Sequence, residues 1–113
     1  MGAPAAGAVV LVRFPFSDLS QTKPRPAVVL ADAGRGDWIL CQVTSKPYGD
    51  TLAVTLEDTN LATGSLRVTS YARPGKLFTA NRDLIVAEVA TLKPEALTRV
   101  VDAVVDLLRA GGS

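Results

Sequence analysis

The sequence predicts a mainly β fold, a small barrel or sandwich, followed by one C-terminal helix. Two observations carry this. Short apolar, β-branched runs recur at 9–14, 27–31, 38–44, 52–56, 66–70, 76–79 and 84–89, and six or seven strands at that spacing specify a sandwich or small barrel. In the tail the period changes from two to about 3.6 residues: Leu97, Val100, Val101, Val104 and Leu108 fall on one helical face, and Glu95, Arg99, Asp102, Asp106 and Arg109 on the other.

The elements follow in order. The first two runs, VVLVRF and AVVLA, are separated by SDLSQTKPRP (17–26), rich in the residues that favour turns. DAGRGD (32–37), KPYGD (46–50) and RPG (73–75) read as further loops for the same steric reasons. Trp38 opens an apolar run, which assigns it to the core or to a dimer seam. The helix has a soft start, because Lys93 is a poor N-cap, but Pro94 suits its first turn. Glu95 with Arg99 and Asp106 with Arg109 are neighbours on its outer face, and Gly111 and Gly112 stop it.

Length and composition narrow the function. The 113 residues supply one core, so the expectation is one domain over 1–113, frayed at 1–6 and 110–113. No apolar run approaches the roughly 20 residues of a membrane-spanning helix, and the N-terminal residues lack the basic and apolar regions of a secretory signal. A cytoplasmic protein without membrane attachment is expected. Cys41 is alone and there is no His, so a zinc cluster or a thiol–imidazole pair is not expected, nor any other metal or cofactor. A net charge of +1 is too small for bulk attraction to nucleic acid, so such a site must be a local cluster of Lys and Arg.

The stretch GAVVLVRFPFSDLSQTKPRPAVVL (7–30) resembles the opening of the MazF/PemK toxins, where a strand and a Pro-Phe element lead through a polar loop to an Arg-Pro-Ala-Val-Val-Leu strand. ILCQVTSK (39–46) resembles the family's next strand, which ends in a hydroxyl pair, and LKPEAL (92–97) its entry into the last helix. Ala8 stands where the family usually has Asp, and 51–83 matches only loosely. The resemblance implies an SH3-like or CcdB-like barrel, a homodimer, metal-independent and sequence-selective cleavage of single-stranded RNA, and inhibition by a cognate antitoxin protein.

Such cleavage uses the ribose 2′-hydroxyl as nucleophile, leaving a 2′,3′-cyclic phosphate and a 5′-hydroxyl. The protein must take up a proton, stabilise the phosphorane and assist the leaving oxygen. Arg25, between Pro24 and Pro26, offers a planar donor fork suited to two phosphate oxygens. The resemblance maps the catalytic arginine onto Arg25 and the catalytic threonine onto Thr44, with Ser45 beside it. Outside this motif, Arg25 would read as a solvated surface arginine and Thr44–Ser45 as a turn. A guanidinium gives up its proton reluctantly, which favours charge stabilisation as the role of Arg25. No side chain stands out as general base, leaving water, a backbone group or Arg25 itself.

For RNA binding, Phe16, Asp18, Ser20, Gln21 and Lys23 offer the aromatic, polar and basic groups that suit unpaired bases. Arg73 and Lys76, with Tyr71 near the RPGK turn, could contact phosphates or simply solvate a turn. Three other readings compete: a CcdB-like toxin that binds DNA gyrase and cuts nothing, an RNA-binding homologue that does not cut, and a non-toxic SH3-like interaction module. Only 5% of the residues are aromatic, which equips the chain poorly for the last.

Overall fold

The structure is a computed structural model that describes residues 4–13 and 23–111. Seven strands form one antiparallel sheet: β1 (Ala8–Val12), β2 (Arg25–Gly34), β3 (Asp37–Thr44), β4 (Val54–Leu56), β5 (Leu61–Gly64), β6 (Ser70–Asn81) and β7 (Ile85–Leu92). Their order is β4-β6-β3-β2-β1-β7-β5, so the ladder stays open between β4 and β5. Helix α1 (Pro94–Ala110) packs mainly on β6 and β4. This is the mainly β class with a C-terminal helix that the two periodicities predict.

The central strands are apolar on both faces, which is why their sequences run continuously hydrophobic instead of alternating. Val9, Val28, Cys41 and Val43 join Ala96 and Val100 of α1 in one core. Their neighbours Ala8, Val10, Val12, Ala27, Val29, Trp38 and Leu40 form a second cluster with Ala80, against which Phe78, Leu84 and Ile85 pack. Trp38 is therefore a core residue, and its Nε1 donates to no acceptor among the described residues.

Five boundaries differ from expectation. Residues 32–37 are a tight hairpin, not a loop: Gly34 pairs with Asp37 around Arg35 and Gly36, whose φ of +57° and +81° give the primed turn that matches strand twist. RPG (73–75) lies inside β6. Pro74 has no N–H for the ladder, so a bulge forms, with Cys41 pairing Leu77 while Val43 pairs Ala72. The Arg73 carbonyl accepts instead from the Cys41 thiol at 3.1 Å. The strand expected at 66–70 is replaced by β5, because Leu61 is buried and Gly64 comes against β7 at Ala90, whereas Val68 is 59% exposed. The run at 52–56 shortens to β4, and the first run ends at Val12, Phe14 lying outside the described residues.

The helix begins at Pro94 with no side-chain cap from Lys93, whose carbonyl accepts from the amides of Ala96 and Leu97 at 3.0 Å each. The Lys93 amide donates to the Asn60 carbonyl at 2.8 Å, tying the helix start to the entry of β5. The buried stripe is Ala96, Val100 and Val104. Leu108, expected on that face, is 67% exposed. Among the described residues no helix is long and apolar enough to cross a membrane.

Candidate nucleic-acid interface

Arg25 is the first residue of β2 and is exposed. It pairs with Val12 of β1, and the β2–β3 ladder ends just beyond it at Ala27–Gln42. Arg25 is two residues from Ala27 and Thr44 two from Gln42, so strand alternation puts both side chains on the face that Ala27 and Gln42 share. Thr44 ends β3. Its Oγ1 accepts from the Lys46 amide at 3.1 Å and donates to the Lys46 carbonyl at 3.2 Å, so it closes the strand-ending turn.

These residues border a groove of about 770 Å³. Around the start of β2 and the end of β3 its lining is Lys23, Arg25, Gln42, Thr44 and Ser45. Tyr48, the segment 65–68, and Ser70 and Arg73 of β6 line it as well. Four cations, Lys23, Arg25, Arg67 and Arg73, line it, and no Asp or Glu is among its described lining residues. A chain of net charge +1 thus gathers a third of its 12 Lys and Arg residues in one place. Field from a cleft of one sign attracts polyanions far better than the whole-molecule charge suggests.

Arg73 is the cation whose position is fixed most firmly. Its Nε donates to Asp50 Oδ2 at 3.0 Å, leaving the four N–H donors of its two terminal nitrogens. That hydrogen bond holds the Asp50 carboxyl below the ordinary carboxylate range, helped by the Leu52 amide, which donates to Asp50 Oδ1 at 3.0 Å. Beneath the groove, burial pushes the Cys41 thiol up to about 12, so it is neutral and inert there. Among the described residues no three His, Cys, Asp or Glu side chains gather as metal ligands would.

Of the residues singled out in the sequence, Arg25, Thr44, Ser45, Lys23 and Arg73 meet in this groove. Lys76 does not line it: it is exposed on β6, inside the bulged stretch between Ala72 and Leu77. Tyr71 is half-buried on β6 between Thr44 and Thr55. Phe16, Asp18, Ser20 and Gln21 lie outside the described residues.

A family model described as the PemK-like, MazF-like toxin of type II toxin–antitoxin systems matches residues 5–108. The chain belongs to this toxin family. Among solved structures, MazF of Deinococcus radiodurans is 26% identical, with a TM-score of 0.74 over 96% of this chain and 99% of that one. A MazE–MazF complex from the same organism gives a TM-score of 0.76 at 24% identity, over 96% and 98%. An endoribonuclease from mycobacterial species, in complex with its cognate antitoxin, gives 0.69 at 17% identity, over 96% of each chain. The last two likenesses are of fold. No curated protein sequence matches the chain.

Within this PemK/MazF-like fold, sequence reasoning missed Gln42, Tyr48, Ser65, Arg67 and Ser70 of the groove lining. Tyr48 gave a usable signal, a lone aromatic in an otherwise polar turn. Arg67 gave none, because it sat inside a run misread as a strand.

Proposed function

We propose that this chain is the sequence-selective endoribonuclease toxin of a type II toxin–antitoxin pair, cutting single-stranded RNA without a metal. The observation that carries the reading is that Arg25 and Thr44 share a face at the edge of a groove with four cations and no carboxylate among its described lining residues. In this reading the 2′-hydroxyl attacks the adjacent phosphorus, giving a 2′,3′-cyclic phosphate and a 5′-hydroxyl end. The Arg25 fork takes two non-bridging oxygens of the phosphorane, and the Thr44 hydroxyl turns from the Lys46 carbonyl to donate to one of them. A preorganised donor of this kind contributes about 3 kcal/mol to the transition state, roughly a hundredfold in rate. Lys23, Arg67 and Arg73 hold flanking phosphates and set register rather than reading bases.

The similar structures of an endoribonuclease with its cognate antitoxin and of MazE–MazF complexes support a protein antitoxin as partner. A homodimer in the cytoplasm completes the proposal. The deciding experiment incubates the protein, in EDTA, with a long single-stranded RNA and with its DNA counterpart, beside Arg25→Ala. Discrete RNA cuts with cyclic phosphate ends, absent on DNA and with the variant, are expected. A folded wild-type protein that cuts nothing would sink the nuclease reading in favour of a toxin that binds a protein such as gyrase, or of a non-cutting RNA binder.

A further inference from the structure

Three non-glycine residues among those described have left-handed backbone: Arg35, Tyr48 and Arg67, with φ of +57°, +54° and +69°. Arg35 is explained by its hairpin. The other two both line the groove.

Tyr48 occupies a costly position. Pro47 to Asp50 is a tight turn, closed by the Asp50 amide donating to the Pro47 carbonyl at 2.9 Å, with positive φ at both Tyr48 and Gly49. Asn, Asp or Gly makes such a turn with less strain than a large aromatic residue. The ring gains nothing from burial in return, since Tyr48 at 76% is the most exposed large hydrophobic of the described residues. The turn is nevertheless held in place, because its last residue, Asp50, is bonded to Arg73. Arg67, which lines the same groove, is kept in its own strained conformation by its amide, which donates to Ser65 Oγ at 3.0 Å, and Val68 beside it is 59% exposed. Strained backbone and exposed apolar side chains therefore coincide twice in the lining of one cationic groove.

The geometry points to a nucleobase subsite here, separate from Arg25 and Thr44: Tyr48 is a stacking platform for an unpaired RNA base, Val68 contributes apolar contact and Arg67 holds the adjoining phosphate. An exposed ring beside phosphate-binding cations is how single-stranded nucleic acid is held, since every base offers a π-face. Because the Asp50–Arg73 bond fixes the platform, base position is coupled to phosphate position. This rests on the RNA-cutting reading and adds to it the residues that grip a base flanking the cut.

The test compares wild type, Tyr48→Ala, Tyr48→Phe and Tyr48→Gly in two assays: anisotropy of a short labelled single-stranded RNA of mixed sequence, and cut-site mapping with kinetics on one long RNA. Losing a stacked base weakens binding about tenfold. Tyr48→Ala and Tyr48→Gly are expected to lose that affinity, to raise KM with kcat within about twofold, and to widen the set of cut sites. Tyr48→Phe keeps the ring and should behave as wild type. Tyr48→Gly should also melt no lower than wild type, because it relieves the strain. If Tyr48→Ala binds and cuts like wild type, the subsite is wrong and the nuclease reading stands, even where antitoxin affinity changes. If wild type binds RNA without cutting and Tyr48→Ala weakens binding, the subsite stands and the nuclease reading fails. A wild type that neither binds nor cuts RNA overturns both.

Discussion

Arg73 Nε and Asp50 Oδ2 lie 3.0 Å apart, joining residues 23 positions apart in sequence and tying the turn after β3 to the bulge of β6. Both side chains are mostly shielded, at 21% and 16% exposure. The bond serves two ends. It aims one groove cation, and it fixes the turn that carries Tyr48.

The same pair makes acid stability a measure of the clamp. Asp50 is held below its ordinary pKa, first by the Arg73 hydrogen bond. A depressed folded value means stability that is present above the unfolded value, near 3.9, and lost as pH falls through the folded one. At neutral pH, Asp50→Asn should therefore melt lower than wild type by roughly 3 °C. At acid pH, as the Asp50 carboxylate of the folded protein takes up its proton, the two curves should converge. Thermal melts at both pH values check this, and an equal gap at both would refute the clamp.

Gly64 should tolerate no side chain. Its φ is +78°, and a Cβ there would stand 2.1 Å from the Val89 carbonyl oxygen and 2.6 Å from Ala90 Cα, both backbone atoms of β7 that cannot swing aside. Gly64→Ala must then push β5 from β7, at a cost of about 2–4 kcal/mol. Urea unfolding should show a lower midpoint. Because residue 65 begins the groove wall, RNA affinity should fall as well.

Cys41 is fully buried, with its thiol donating to the Arg73 carbonyl and its pKa pushed up by burial to about 12. At about pH 8 only roughly one molecule in 10,000 carries the thiolate, so a thiol reagent should label the native protein only through unfolding. The thiol's raised value also means that stability, full below about 8.5, declines as pH rises from there toward 12. Cys41→Ala should lose that alkaline decline while costing about 1 kcal/mol at neutral pH for the lost packing. Labelling at a rate near that of a free thiol, without denaturant, would count against both statements.

What the sequence disclosed and withheld follows from where the information sits. Period and turn chemistry are local, so β1 to β3, β7 and α1 were legible to within a few residues. The centre of the chain was not. RPG marks a break in hydrogen bonding, but whether a break ends a strand or bulges it depends on β3, whose Cys41 supplies the partner for the Arg73 carbonyl. The choice between 61–64 and 66–70 as a strand depends on Gly64 meeting Ala90. In the groove, Arg25, Thr44 and Ser45 could be named because short motifs carry them. Tyr48 and Arg67 sit in turns whose meeting in one groove depends on tertiary structure, which no local pattern encodes.

Arg25 and Thr44 line the same groove but should separate cleanly when mutated, because only one of them is structural. Arg25 is exposed at the strand start, so Arg25→Ala should change stability by no more than about 0.5 kcal/mol while lowering cleavage at least a hundredfold. Arg25→Lys restores charge but not the planar fork, and should recover less than a tenth of the lost rate. Thr44 holds the Lys46 turn through two hydrogen bonds, so Thr44→Val should lose about 1 kcal/mol of stability along with activity. Thr44→Ser keeps the hydroxyl and should retain most of both. Urea midpoints measured beside single-turnover cleavage give the four-way comparison. If Thr44→Val loses stability but cleaves at the wild-type rate, Thr44 only closes its turn, and stabilisation of the phosphorane falls to Arg25 and its neighbouring cations.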